Sequence, residues 1–153
     1  MEIISGGDIN GAVVHCMELT RELAARGHSL TLVCRPNTWI AKQNFPQNVE
    51  IIESDLSPWT SRDVKQVASV VRSERVEIIH THQSRAHTFG VLLRFFCSSK
   101  LVATAHNRKM QLHWCLNHHV IAVSEATAKF HRRFNFCRRK RISVIHCFVG
   151  AAT

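Results

Sequence analysis

The sequence has no apolar run long enough to cross a membrane and no segment of low complexity. Spanning a bilayer as a helix takes about 20 consecutive apolar residues. The chain begins with Met1-Glu2 and a short apolar stretch before Gly6-Gly7, without the basic start and long apolar core of a secretion signal. These absences predict a cytoplasmic protein. Its 153 residues, 45% hydrophobic and 20% charged, fit one globular domain with a substantial core.

The sequence also lacks any Cys-x-x-Cys pair, although it contains six cysteines. They stand at wide and irregular spacing, several of them inside apolar runs: Cys16, Cys34, Cys97, Cys115, Cys137 and Cys147. A free cysteine in such surroundings behaves as a small apolar residue. We therefore expect reduced thiols rather than a disulfide framework.

Acidic residues are scarce in the second half of the chain. Residues 77–153 carry 12 Lys and Arg against 2 Asp and Glu, a net charge of +10. Residues 1–76 carry 8 against 9, a net charge of −1. This asymmetry indicates an anionic partner on the basic side of the molecule.

The stretch Val76-Glu77-Ile78-Ile79-His80-Thr81-His82 is the centre of the predicted fold. Its β-branched residues are typical of a strand covered on both faces in a parallel sheet. His80 and His82 then lie at the carboxyl end of the strand, where open α/β sheets bind their ligands. The alternative is that the two histidines only end the strand and hydrogen-bond nearby backbone.

A glycine-containing loop, Gly6-Gly7-Asp8-Ile9-Asn10-Gly11, precedes the first predicted helix. Asp8 and Asn10 are candidate N-caps, and Gly27 is the expected C-terminal cap. The loop would leave backbone N–H groups and the helix dipole free for an anion, or it is a tight turn only. An apolar stripe at helical spacing indicates the buried face of the helix: Ala12, Cys16, Leu19 and Leu23.

Further short apolar runs predict strands over residues 2–5, 29–34, 49–53, 100–105, 119–123 and 142–145. Helical spacing predicts helices over residues 61–73, 84–97 and 125–134, with Thr60 or Ser61 capping the first, and a helix-like stretch at Leu112 and Leu116. Such alternation predicts an α/β fold: a doubly wound, mainly parallel, Rossmann-like sheet with helices on both faces.

Five motifs follow one another in an order that covers nearly the whole chain: Gly6-Gly7 before a helix, Ala25-Arg26-Gly27-His28-Ser29-Leu30-Thr31-Leu32-Val33, Ile78-Ile79-His80-Thr81-His82, Ala103-Thr104-Ala105-His106, and Val120-Ile121-Ala122-Val123-Ser124-Glu125-Ala126. The series resembles the N-terminal domain of family 4 glycosyltransferases. The last predicted strand stands where that family runs toward its interdomain linker.

The resemblance implies one half of a GT-B enzyme, in which two Rossmann-like domains face each other across a cleft. The N-terminal domain mostly holds the acceptor, a glycan or lipid-linked molecule of cell-envelope biosynthesis. The C-terminal domain holds the nucleotide-sugar donor, UDP- or GDP-linked. Catalysis is then retaining and needs no bound metal. We expect residues 1–153 to form the N-terminal domain, with the donor-binding domain absent and the chain inactive alone.

The sequence departs from the family pattern in two places. The first strand is shorter than in the family, so we expect part of it to be missing. The linker, which usually reads Pro-Asn-Gly-Val, here reads His146-Cys147-Phe148-Val149. A non-catalytic remnant, or a basic binding module with this fold, is therefore the alternative function.

The resemblance also implies roles for individual residues. His106, at the end of a strand, becomes the candidate catalytic residue, since a neutral imidazole can hydrogen-bond a hydroxyl or accept its proton. Gly6 and Gly7 become candidates for contact with the donor phosphates, because no Cβ blocks the approach of a ligand. Candidates for the acceptor pocket are Asp8, Asn10, His80, His82, Asn107, Ser124 and Glu125. The plain alternatives are a strand-end histidine for His106 and a helix N-cap for Ser124.

Two other patterns invite a functional reading. The spacing of His106, His113, Cys115, His118 and His119 is not that of a standard zinc site, so we expect no metal. The basic run Lys129–Arg141 is interleaved with phenylalanines and is by default a solvated face. Its functional alternative is peripheral contact with anionic lipid at the inner face of the membrane. Nucleic acid is disfavoured because no motif for binding it occurs.

Overall fold

The computed structural model describes residues 1–57 and 61–147. Seven strands and four α-helices alternate along the chain. The strands are β1 (Glu2–Ile4), β2 (Leu30–Cys34), β3 (Val49–Glu53), β4 (Ile78–His82), β5 (Lys100–Ala105), β6 (His119–Ala122) and β7 (Ile142–Val144). The helices are α1 (Gly11–Ala25), α2 (Ser61–Ser73), α3 (Ser84–Leu93) and α4 (Glu125–Phe134). Short 3₁₀ turns cover Ile40–Lys42, Leu112–Leu116 and Arg139–Arg141.

All seven strands form one parallel sheet in the order β3-β2-β1-β4-β5-β6-β7. The order reverses between β1 and β4, so the crevice between them is the topological switch point of the sheet. The predicted doubly wound, Rossmann-like fold is confirmed.

Successive residues of β1 point to opposite faces of the sheet, as the period of a strand requires. Ile3 packs with α2 and α3, and Ile4 packs with α1. A third core, between β5, β6, β7 and α4, contains Ala105, Val120 and Trp114. Helix α1 therefore lies on one face of the sheet, and the other three helices lie on the opposite face.

Several predicted boundaries differ by one or two residues, and α3 is shorter than expected. It ends at Leu93 rather than Cys97, because the chain turns at Phe95 and Phe96 to bring Lys100 into the sheet. The stretch around Leu112 is a 3₁₀ turn rather than an α-helix. Strand β4 begins at Ile78, since Val76 still bonds to the last turn of α2.

The ends of α1 agree with the sequence, and its buried face agrees in part, since Ala12 and Cys16 are buried as predicted. Asn10 is the N-cap and Gly27 has a left-handed backbone with φ of 88°. Leu19 and Leu23 are only half-buried, and their place in the core is taken by Val13, Met17, Thr20 and Ala24. The predicted alternative cap Thr60 lies outside the described residues, as do Phe148 and Val149 of the linker motif.

Candidate functional site

Histidines from neighbouring strands meet at the carboxyl edge of the sheet. His82 ends β4 and His106 follows β5, and His82 Nδ1 lies 3.4 Å from His106 Nε2. His15 of α1 lies over the pair, with ring centroids 5.8 Å from His82 and 5.5 Å from His106. Gly6 is on the same edge, since a Cβ there would stand 2.8 Å from Gln83 Oε1.

A carboxylate that the sequence reasoning missed lies beneath these histidines. Glu2 of β1 pairs in register with His80 of β4. Its Oε2 atom is 2.8 Å from His82 Nε2 and 3.2 Å from His80 Nδ1. His80 Nε2 in turn lies 2.7 Å from Thr104 Oγ1. We call Glu2, His15, His80, His82 and His106 the rim cluster. The sequence signal for Glu2 was the presence of a charged residue inside an apolar strand.

The rim cluster places an ionised carboxylate beside the neutral imidazoles of His82 and His106. Burial works to raise the pKa of Glu2, but attraction to His80 and hydrogen bonds from His80 and His82 outweigh it. The pKa of this carboxyl therefore lies well below its usual range. Burial, together with repulsion from His80, lowers the pKa of His82 to about 4. Burial and repulsion from His82 lower the pKa of His106 to about 3, so both imidazoles are neutral at pH 7.

These contacts assign the protons on the two neutral rings. An ionised Glu2 can only accept, so His82 Nε2 carries the hydrogen and His82 Nδ1 is left with a lone pair. His106 Nε2 must then donate to His82 Nδ1. The lone pair of His106 is therefore on Nδ1, the atom that faces Cys147 Sγ at 3.8 Å. The chain Glu2–His82–His106 presents a hydrogen-bond acceptor at the rim.

Glu2, His80 and His82 are also a possible donor set for a metal. They offer one ligand atom each, within 4.8 Å of one another, and all three residues are buried. Two imidazoles and a carboxylate suit a divalent transition ion. The same atoms are already hydrogen-bonded to one another, so the set is satisfied without an ion.

The glycine loop is used differently from what the sequence indicated. A Cβ on Gly6 would stand 2.5 Å from Val13 Cγ2, so this glycine is required by packing. At Gly7 the nearest atom to such a Cβ is Arg35 Nη1 at 4.0 Å, which leaves open space. Asn10 Oδ1 accepts from the amides of Ala12 and Val13, so these two groups are not free for an anion.

The other candidate residues lie around the rim cluster rather than in it. Asp8 is exposed and Asn10 bonds to Gln83 at 3.2 Å. Asn107 is exposed and accepts from His131 through its backbone. Ser124 caps α4 by accepting from the Thr127 amide at 3.1 Å, and exposed Glu125 lies 4.0 Å from Arg132.

The five residues weighed as a zinc site do not come together. His118 Nδ1 accepts from the Leu101 amide, His119 bonds to Ser143, and Cys115 is exposed. His113 belongs to a second group on the opposite face of the sheet, where its ring lies 4.9 Å from that of His87. We call this group the helix-side cluster: His87, His113, Trp114, Asn117 and His131.

The basic run is mostly exposed in the structure. Phe134 and Phe136 are 41% and 67% exposed, and the Arg133 guanidinium lies 5.3 Å from the Phe134 ring centre. All six cysteines are free thiols, as expected. Among the described residues, no helix is both long and apolar enough to span a bilayer.

Comparison with known proteins identifies the family. The family model for Glycosyltransferase Family 4 matches residues 9–152. A comparison with curated protein sequences gave no match.

Solved structures of similar fold include a glycosyltransferase from Rickettsia africae, with a TM-score of 0.76 and 18% identity over 95% of this chain and 42% of that one. Anabaena HepE in complex with UDP-glucose has a TM-score of 0.76 and 14% identity over 97% and 44%. A sucrose-phosphate synthase from Thermosynechococcus elongatus has a TM-score of 0.67 and 16% identity over 98% and 91%.

The chain thus spans less than half the length of the first two structures. Their TM-scores establish a common fold, and the family match extends over nearly every residue of the chain. The chain belongs to Glycosyltransferase Family 4 and has the fold of its N-terminal, Rossmann-like domain.

Proposed function

We propose that this domain is the acceptor-binding half of a retaining glycosyltransferase. It moves a sugar from a UDP- or GDP-linked donor to a glycan or lipid-linked acceptor of the cell envelope. Support comes from the family match and from the fold shared with Anabaena HepE, a protein solved with UDP-glucose. The donor binds mainly to a second domain, so residues 1–153 alone do not transfer sugar. Turnover by the purified chain would contradict this.

The observation that carries the proposal is the hydrogen-bond chain from Glu2 through His82 to His106. It holds His106 neutral, with the Nδ1 lone pair at the edge of the sheet. With a pKa of about 3, the His106 imidazole is too weak a base to take up a proton readily at pH 7. We therefore assign His106 the role of accepting a hydrogen bond from a reacting hydroxyl, which orients that hydroxyl toward the donor sugar.

The remaining candidates divide by exposure. His80 and His82 are 7% and 0% exposed, so they act through His106 rather than on the acceptor. Gly7 has open space for the donor phosphates, with Gly6 shaping the loop beside it. The exposed or partly exposed residues around the rim contact the acceptor: Asp8, Asn10, Asn107, Ser124 and Glu125.

The enzyme works without a bound metal, in the cytoplasm, and touches the membrane peripherally. The basic run Lys129–Arg141 meets anionic lipid at the inner face, where each cation is worth about 1 kcal/mol. The exposed phenylalanines of the run add apolar contact at the same surface.

The test is His106→Ala in the protein together with its donor-binding half. We expect turnover to fall by about 10²-fold, the size of loss that a misplaced reacting group causes. His119→Ala is the matched control, because His119 lies at the amino end of β6, where its ring bonds to Ser143. Equal activity of the two variants would make His106 a structural residue. No turnover by the unsubstituted protein with its donor-binding half would favour a non-catalytic binding module.

A further inference from the structure

A cavity of about 490 Å³ opens on the same edge of the sheet as the rim cluster. Its walls come from the segments that follow four strands. Arg35 follows β2, Asp55 follows β3, Ser84 and Arg85 begin α3 after β4, and Lys109 follows β5. Lys109 is three residues beyond His106, so the cavity and the rim cluster share a connecting segment.

The cavity is lined by more positive charge than the structure neutralises. Arg35, Arg85 and Lys109 oppose the single carboxylate Asp55, which leaves a net charge of +2 on the lining. Across residues 1–57 and 61–147, none of these three cations has an acidic partner within 4.0 Å. A phosphate monoester, with about −1.5 to −2 charges at pH 7, matches that excess.

Helix α3 supplies the other polar groups of the lining. The Thr88 hydroxyl lies in the wall, but it donates its one hydrogen to Ser84 O at 3.0 Å and also contacts His113 Nε2 at 3.3 Å. Helix α3 begins at the cavity, and its N-cap Gln83 makes no side-chain bond to the first turn. The amides of this turn add to the cations in favouring an anion.

We propose that this cavity binds a phosphate group carried by the acceptor. That the phosphate belongs to the acceptor rests on the proposed function, whereas the recognition of phosphate rests on the cavity alone. Guanidinium groups bind phosphate oxygens in bidentate fashion, which Arg35 and Arg85 supply from two walls. Lys109 adds a point charge beside the segment that carries His106. The anchored phosphate would hold the rest of the acceptor along the rim, with a hydroxyl near His106 Nδ1.

The test is calorimetric titration of the chain with inorganic phosphate and with glucose 6-phosphate at constant ionic strength. Arg85→Gln and Lys109→Gln should each weaken binding by about tenfold, the size expected for one charge-assisted hydrogen bond. Both side chains are exposed, so the variants should fold. Lys65→Gln on α2 is the matched control, because it removes one exposed cation outside the cavity.

Two further ligands distinguish the sources of the phosphate. Vesicles of phosphatidylcholine with phosphatidylglycerol that bind in an Arg85-dependent way would indicate a lipid-linked acceptor. Glucose 6-phosphate binding without vesicle binding would indicate a soluble one. UDP-glucose binding with the same dependence on Arg85 and Lys109 would assign the cavity to the donor and overturn the proposal.

The proposal is also overturned if inorganic phosphate and glucose 6-phosphate do not bind, or if Lys65→Gln weakens them as much as Arg85→Gln does. These outcomes concern the cavity only. Sugar transfer would still be tested separately by His106→Ala, whose loss of turnover does not depend on how the phosphate is held.

Discussion

Histidines gather in two clusters in this domain, one on each face of the sheet, and the clusters differ in what holds them. In the rim cluster a buried carboxylate accepts from two imidazoles, and a third imidazole extends the chain to the edge. In the helix-side cluster His87 stacks on His113 and lies tilted against Trp114, and no carboxylate from the part of the chain that the structure describes takes part. His131 bonds to Asn107 O and Asn135 instead.

The difference shows that a histidine-rich sequence does not by itself make a functional site. Both clusters depress imidazole pKa values, to about 4 for His82 and about 3 for His87, chiefly through burial. In the rim cluster the carboxylate of Glu2 fixes which nitrogen of His82, and through it of His106, carries the proton, and so leaves an acceptor at the edge of the sheet. The helix-side cluster instead leaves His87 Nδ1 and Asn117 Oδ1 without a hydrogen-bond partner among residues 1–57 and 61–147.

Removing the carboxylate should give the largest effect on stability. Glu2→Ala is expected to lower the free energy of unfolding by about 2–4 kcal/mol, because the buried N–H groups of His80 and His82 lose their acceptor, at about 1–3 kcal/mol each. The volume-matched His87→Leu should change it by less than about 1 kcal/mol, since it removes an unpaired polar atom. Urea denaturation at pH 7 measures both changes in the free energy of unfolding. Similar losses for the two variants would contradict the difference between the clusters.

Acidification should destabilise both clusters by smaller amounts. A histidine whose folded pKa lies below its unfolded value of 6.5 binds a proton on unfolding, so its contribution is complete above that pH and declines as pH falls toward the folded pKa. From pH 7 to pH 5 we expect a loss of roughly 1–2 kcal/mol for each of His82 and His87.

The stabilising effect of Glu2 is not lost in that window, because it declines only below its unfolded pKa of 4.5. His87→Leu should therefore remove its own share of the pH dependence and leave that of His82. Denaturation curves at the two pH values provide the measurement. If the free energy of unfolding of His87→Leu depends on pH as that of the unsubstituted chain does, His87 is charged in the folded chain.

Proton positions should separate the clusters without any change in stability. Nitrogen NMR of the imidazoles at pH 7 should show the hydrogen on Nε2 in His82, His106 and His131. In His87 it should be on Nδ1, because His87 Nε2 faces the Asn117 amide at 3.5 Å. A hydrogen on Nδ1 of His106 would break the chain from Glu2 and remove the acceptor from the rim.

Chelation should have the smallest effect. The atoms of Glu2, His80 and His82 that would bind a metal are already bonded to one another, so EDTA should leave the melting temperature and the turnover unchanged. A melting temperature that falls with EDTA and recovers with Zn²⁺ would reassign the rim cluster as a metal site.

Several parts of the fold followed directly from local pattern. The apolar run at residues 49–53 and the helical spacing at 61–73 appear with the expected bounds, because each buries a face whose period the sequence displays. The spacing gave α1 correctly but placed Leu19 and Leu23 in its buried face, where Met17 and Thr20 are buried instead, because packing against the sheet decides which side of a helix is covered. The end of α3 was missed because Phe95 and Phe96 look like core residues yet lie exposed in the turn.

The sequence by itself determined the alternation of strands and helices, and with it the placement of His82 and His106 at one edge. The tertiary structure alone decided that Glu2 lies under them. Glu2 and His82 are 80 residues apart, and they meet only because β1 enters between β2 and β4 in a particular parallel register. Hydrophobic period is a local property of the chain, whereas register depends on every element that packs around it.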